Sequence, residues 1–175
     1  MKLKTPLQDK DIKGLHAGDK IELSGVIYTA RDVAHAKLIN LIETGKELPI
    51  PIQGQVIYYV GPAPAKPGQV IGSAGPTTSY RMDSFTPVLL KEGLKGMIGK
   101  GQRSQSVKDA IQQYKGVYLA AVGGAAALIA KCIKKSEVVA YPELGPEAIR
   151  RLEEESFPLV VVNDIYGNDL YERDL

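Results

Sequence analysis

Apolar and polar positions change period several times along the chain, and each change marks a new element. Lys20-Ile-Glu-Leu-Ser-Gly-Val-Ile-Tyr alternates at first and then becomes continuously apolar, the pattern of a strand entering a core. After Thr29-Ala-Arg-Asp, Ala34, Leu38, Leu41 and Ile42 share one face of a helix, with Gly45 as its C-cap. Gln55-Val-Ile-Tyr-Tyr-Val predicts a second strand, and Gly61-Pro-Ala-Pro-Ala-Lys-Pro-Gly a stiff turn into a third near Val70-Ile71. A helix is expected from about Met82 to Leu90, a short strand at Gly96-Met-Ile-Gly, and a helix N-capped by Ser104 running to Tyr114. Val117-Tyr-Leu-Ala-Ala reads as a strand and Gly123-Gly-Ala-Ala-Ala-Leu-Ile-Ala as the start of a small-residue helix reaching Lys134. Glu137-Val-Val-Ala is a strand, Pro146-Glu-Ala-Ile-Arg-Arg-Leu a helix with proline in its first turn, and Pro158-Leu-Val-Val-Val-Asn a core strand before a hairpin turn at Tyr166-Gly-Asn-Asp. Strands alternating with helices predict an α/β fold with a largely parallel sheet, and the pattern alone reads as doubly wound.

Composition narrows the picture. The 175 residues fit a single domain, 1–175. A chain of this size buries roughly 70% of its unfolded surface and needs no metal or disulfide to hold a core. With 44% hydrophobic and 24% charged residues it is not a disordered chain, and a net charge of +2 is too small to draw nucleic acid or a membrane surface, so neither partner is expected. The lone cysteine, Cys132, excludes an internal disulfide, a self-contained zinc ribbon and a thiolate-held iron–sulfur cluster. His16 and His35 do not make up the shortfall, so no metal ligand is assigned here and any metal chemistry must come from another chain. Met1-Lys-Leu-Lys-Thr-Pro-Leu lacks the apolar stretch of a signal peptide. The longest apolar run, Tyr118 to Ala130, is about 13 residues against the ~20 that a bilayer requires. A cytoplasmic location is expected.

In open α/β sheets ligands gather in loops after the carboxyl ends of strands. Three such loops carry a cation: Arg31, Arg81 and Lys100. Two arginines and a lysine suit a small dicarboxylate, because guanidinium groups grip carboxylates through two hydrogen bonds. Each is equally readable as a solvated or salt-bridged surface residue, with Asp32 and Asp83 as partners. Thr77 and Thr78 cap the following helix on the plain reading. As a base a threonine hydroxyl needs an adjacent carboxylate to take its proton, and Asp83 is the local candidate. Gly123-Gly-Ala-Ala-Ala lacks the spacing of a nucleotide loop and reads as close helix–strand packing. Cys132 reads as a small buried hydrophobe, and His16 and His35 as packed or surface histidines.

Five ordered segments carry a more specific signal: Thr29-Ala-Arg-Asp-Val-Ala-His-Ala-Lys, Gly75-Pro-Thr-Thr-Ser-Tyr-Arg-Met-Asp, Gly96-Met-Ile-Gly-Lys-Gly, Tyr118-Leu-Ala-Ala-Val-Gly-Gly-Ala-Ala-Ala and Val162-Asn-Asp-Ile-Tyr-Gly-Asn-Asp-Leu-Tyr. Together, over about residues 15–172, they resemble the C-terminal domain of class I fumarate hydratases, which also occurs as the β subunit of two-chain fumarases and L-tartrate dehydratases. The resemblance implies a single swivelling β/β/α domain, three-layered with a largely parallel central sheet, in place of the doubly wound fold. It implies a 4Fe–4S cluster held by three cysteines of a partner α subunit and not by this chain, with one iron open to substrate. It also implies assembly with that subunit, expected as a heterotetramer. Residue by residue, Arg31, Arg81 and Lys100 match substrate-binding positions, and Thr77 matches the threonine taken as the catalytic base, activated by an aspartate of the α part. Asp83 then becomes structural. The implied activity is reversible hydration of fumarate to L-malate, with L-tartrate dehydration as the alternative and a non-catalytic anion-binding module as a reading of another class. Tyr80 stands where many members of the family have a small residue, a departure that bears on substrate choice.

Overall fold

The computed structural model describes residues 1–121 and 126–173. The strands are β1 (Lys2–Lys4), β2 (Lys20–Thr29), β3 (Val56–Tyr58), β4 (Gly96–Gly99), β5 (Val117–Ala121), β6 (Ile133–Ala140) and β7 (Ile149–Asn163). Between them lie helices α1 (Asp9–Lys13), α2 (Asp32–Glu43), α3 (Thr86–Lys91), α4 (Gln105–Tyr114) and α5 (Ala126–Cys132). All seven strands form one mixed sheet in the order β1-β2-β3-β4-β5-β7-β6, with a further pairing of β2 to β7. That extra pairing closes a ring β2-β3-β4-β5-β7, so the open three-layer stack expected from the sequence is replaced by a curled, barrel-like sheet. The pairs β1–β2, β2–β3, β3–β4 and β4–β5 are parallel, and every antiparallel pair involves β7.

The closure comes from two long strands. β2 takes β1 along Glu22–Ser24 and β3 along Tyr28–Thr29 on one edge, and β7 from Lys20 to Tyr28 on the other. β7 likewise takes β6 along Ile149–Glu154 and β5 along Leu159–Asn163, with β2 opposite. Each strand needs a bend to change neighbours. In β2 the register shifts between Leu23 and Gly25, where φ is 109° and a Cβ would stand 2.4 Å from the Thr5 hydroxyl. In β7 the bend is at Ser156, with φ 53°.

Strand pleating divides the apolar residues into two cores. Ile21, Leu23 and Ile27 of β2, Val56 and Tyr58 of β3, Ile98, Val117, Leu119, Phe157, Leu159 and Val161 pack together inside the ring. The alternate positions, among them Tyr28, Ile57, Tyr59, Met97, Tyr118 and Val162, pack outward against Ala34 and Leu38 of α2, Leu89 and Leu90 of α3, and Val107 and Ile111 of α4.

Most predicted elements are present, and the misreadings have physical causes. Of the helix expected over Pro146–Leu152, Pro146 and Glu147 close a 3-10 helix, Pro142–Glu147, while Ile149–Leu152 open β7; the arginines and glutamates there suit a helix, but cross-strand pairing to β2 and β6 overrides that propensity. No strand forms at Val70-Ile71, where Pro62, Pro64 and Pro67 supply no N–H to a ladder. The helix expected at Met82–Leu90 is split into a 3-10 turn, Ser79–Met82, and α3, which carries Pro87 in its first turn. α5 ends at Cys132 and β6 begins directly, while Gly123 and Gly124 lie outside the described residues. Gly45 ends α2 as expected, with φ 65° just beyond the cap. Ser104 caps α4, its hydroxyl accepting from Val107 N–H at 3.4 Å. Among the described residues no helix is long and apolar enough to cross a membrane.

One polar group stands apart in the core. Glu154, paired in register with Gly25 and Ile133, is buried with neither carboxylate oxygen partnered among the described residues. Burial pushes its pKa well above the ordinary carboxylate value. The folded chain therefore binds this proton more tightly than the unfolded chain, and stability falls as pH rises through the ordinary glutamate range toward the raised value. Urea unfolding across pH 4–8 should show this slope in the wild type and a flatter one in Glu154→Gln, with the stability gap favouring the variant more at each higher pH.

Candidate functional site

The parallel strands β2, β3 and β4 end on the same rim of the ring, and each of the four candidate residues follows one of these ends. Arg31 follows β2 and stands at the N-cap of α2. Thr77 lies beyond β3, its N–H donating to the Tyr59 carbonyl at 2.6 Å, so the long loop that leaves β3 returns to the point it left. Arg81 is in the Ser79–Met82 turn that comes next. Lys100 follows β4 directly.

Both arginines face carboxylates of this chain, but only Arg81 is hydrogen-bonded to one. Arg81 Nη2 donates to Asp32 Oδ2, which ties the 3-10 turn to the first turn of α2. Arg31 Nε faces Glu147 Oε1 at 3.5 Å, and its guanidinium crosses Gly61, where a Cβ would meet Nη1 at 3.1 Å. The N-terminal amides of α2 add partial positive charge at the same place. Lys100 is exposed and makes no ion pair among the described residues. Two guanidiniums and one ammonium are groups of the kind that grip carboxylates.

Thr77 and Lys100 sit on adjoining backbones. Thr78 forms a parallel bridge with Lys100, and Ser79 N–H donates to the Lys100 carbonyl at 2.9 Å. Gly99 permits this approach, since a Cβ there would lie 1.9 Å from Ser79 Oγ. Thr78 occupies the N-cap position of the 3-10 turn but its side chain makes no capping bond, so the plain capping reading does not account for the threonine pair. Thr77 is half-buried and its hydroxyl bonds to no group among the described residues.

Beneath these loops lies a buried layer of which the sequence singled out Asp83 but not Arg103. Asp83 accepts from Arg103 Nε at 2.7 Å and from Ser104 N–H at 2.7 Å, so it is structural and not Arg81's partner. Arg103, 4% exposed, also donates to Thr86 Oγ1 at 2.8 Å and to Tyr59 Oη at 3.3 Å, and lies over the Tyr118 ring at 4.8 Å. An arginine in Gly101-Gln-Arg-Ser reads as part of a polar turn, and nothing in its spacing signals that it is internal. Glu147 was hidden in the segment read as a helix.

The remaining candidates have structural roles. His35 is fully buried, its Nδ1 donating to the Arg31 carbonyl at 2.8 Å, and burial lowers its pKa to about 4, so it is neutral at physiological pH. His16 stacks on Tyr166 with ring centroids 5.0 Å apart. Cys132 is half-buried at the end of α5, its thiol pushed up mainly by burial. Among the described residues no group of three or more His, Cys, Asp or Glu could hold a metal ion. Tyr80 is 66% exposed and lines a shallow depression with Asp83, Gln102, Arg103 and Ser104.

Comparison with known proteins places the chain in a family. Residues 1–174 match the family described as Fumarase C-terminus. The chain is 48% identical over 156 residues to the anaerobic class I fumarate hydratase of Escherichia coli (strain K12), covering 88% of this chain and 28% of that protein. It is 42% identical over 160 residues to fumarate hydratase 2 of Leishmania major, covering 90% of this chain and again 28% of the relative. A third relative, from Methanocaldococcus jannaschii and named "Putative L(+)-tartrate dehydratase subunit beta", is 41% identical over 173 residues, with 95% of this chain and 89% of that one covered. The chain thus spans little more than a quarter of the two fumarate hydratases but nearly the whole of the third relative. With its loops in the order the five segments require and the match running from end to end, this chain belongs to the fumarase C-terminus family.

Proposed function

We propose that this chain is the β part of an iron–sulfur-dependent hydro-lyase that reversibly hydrates fumarate to L-malate together with a cluster-bearing α subunit, as a cytoplasmic heterotetramer. The observation that carries the reading is the gathering of Arg31, Thr77, Arg81 and Lys100 beyond three neighbouring strand ends. Arg31, Arg81 and Lys100 bind the two carboxylates of the substrate. As the C3 proton of malate leaves, negative charge builds on the adjacent carboxylate to give an aci-carboxylate, and cations already in place act where that charge develops. Thr77 Oγ1 takes the C3 proton as its own hydroxyl proton passes to a carboxylate, since a hydroxyl whose pKa lies far above neutrality is no base unaided. The aci-carboxylate then collapses to fumarate as the C2 hydroxyl departs, a step for which a bound cluster would supply the Lewis acid. Asp83 is committed to Arg103 and Ser104, which favours an acidic residue of the partner chain for that task.

The residues of this chain do not fit the cluster. One half-buried thiol, with its sulfur near the Leu128 and Ser156 carbonyls, offers no three-ligand set. On this reading the cluster belongs wholly to the α part, and the domain swivels to bring its rim against it.

A second reading, the β part of an L-tartrate dehydratase, is favoured by the coverage of the Methanocaldococcus relative, whose length this chain nearly matches. The two share the chemistry and differ by one substrate hydroxyl.

Hydration assays with an anaerobically reconstituted α chain, on fumarate and L-tartrate in parallel, test both readings. Turnover is expected only when both chains are present; a preference for tartrate selects the second reading, and failure to form a complex points to an orphan anion-binding module. Thr77→Ala should leave the complex intact and lower kcat by about 10²–10⁴-fold, the usual contribution of a positioned acid–base group. Arg81→Ala should abolish turnover while the melting temperature falls by less than about 4 °C, because its ion pair with Asp32 is partly exposed and worth at most about 1 kcal/mol. Cys132→Ala should leave iron content and activity of the complex unchanged; loss of iron in that variant would contradict the assignment of the cluster to the other chain.

A further inference from the structure

Outside the four candidate residues, one buried hydroxyl touches both loops on which the site is built. Tyr118, the second residue of β5, is fully buried, and its phenol oxygen lies 2.9 Å from Ser79 Oγ and 2.8 Å from the Gly101 carbonyl. One phenol proton serves only one of these contacts. The carbonyl can only accept, so the phenol donates to Gly101 and accepts from the Ser79 hydroxyl. Ser79 is two residues beyond Thr77, and Gly101 is next to Lys100. Arg103 lies over the face of the same ring and holds Asp83 at the other end of the turn that carries Arg81. The ring is thus clamped by packing while its oxygen ties two loops together.

We infer that Tyr118 is a positioning residue for the reaction proposed above, setting the distance between the Thr77 base and the Lys100 ammonium. This rests on that functional reading. Arg31 hangs on α2, and Arg81, although it shares the 3-10 turn with Ser79, is also tied to α2 through Asp32, so ground-state binding rests mainly on contacts other than the phenol oxygen. Proton abstraction is different, because it needs Thr77 and the charge-stabilising Lys100 in register at the same moment, and misplacement by about 1 Å costs on the order of a hundredfold in rate. Burial raises the phenol's pKa above its ordinary value, so the bridge stays protonated throughout the working pH range.

The test uses the reconstituted two-chain complex with unlabelled L-malate and L-malate deuterated at C3, and rates are expressed per folded complex. Tyr118→Phe removes only the oxygen. The expected result is a kcat at least about tenfold lower with KM within about threefold, and a larger deuterium isotope effect on kcat, because proton transfer has become the slower step. Ser79→Ala breaks the same bridge from its other end and should show the same shift, and the double variant should be no slower than Tyr118→Phe alone. A purely structural role would lower the amount of folded complex and leave the isotope effect as it was. That outcome, or a kcat within twofold of wild type, overturns the inference. A wild-type complex inactive on both fumarate and L-tartrate overturns the functional reading instead.

Discussion

The hydrogen bonding of β7 along both edges is the constraint on which the site end depends. A parallel sheet left open would fan out under its own twist and leave β2 and β5 as edges. By running antiparallel to both, β7 brings those edges together and sets the strand tilt of a small closed ring. The ring is small enough to be filled by its own side chains, Tyr58 and Phe157 the largest among them, so it is a solid support and not a ligand cavity. Convergence of the loops after β2, β3 and β4 follows from that curvature.

Most of the charge at this rim is offset by the chain itself. Asp32 holds Arg81 and Glu147 faces Arg31, while Lys100 is left exposed. On the proposed reading, a bound dianion shares the guanidiniums with carboxylates already in place, and the Asp32 bond keeps the Arg81 fork oriented. Such surroundings trade some raw attraction for geometry, which suits the stabilisation of charge that appears only during a reaction. The deeper Arg103–Asp83 pair is a different kind of interaction: it is largely buried, braced by Tyr59, Thr86 and the amide of Ser104, and fixes the 3-10 turn against α4.

How much of this was legible follows from how local each signal is. β2, β4, β5, α2 and α4 announce themselves by period, by caps and by Gly45, all of which act within a few residues. The four rim residues were legible as types in strand-end loops and as parts of ordered motifs. β7 was not legible as one strand, because its arginines and glutamates satisfy a helix equally well and only β2 and β6, distant in sequence, decide otherwise. Ring closure could not be read for the same reason. Arg103 and Glu154 were missed because the sequence gives no sign that a charged residue is internal; burial there is a property of the assembled layers.

The Thr77 N–H to Tyr59 carbonyl bond has a consequence for how this rim can be altered. It makes the proline-rich excursion after β3 a closed side circuit, anchored at one peptide group on departure and return. A second latch, Ala63 N–H to the Ser73 carbonyl at 2.9 Å, narrows it again further out. Beyond that latch, chain length is decoupled from the chemistry, since doubling a flexible loop adds only about 0.6 kcal/mol of closure entropy. The exposed residues 64–70 are therefore a natural acceptor for inserted sequence, where a graft or a shortened connector alters the outline of the molecule and leaves the rim where it was.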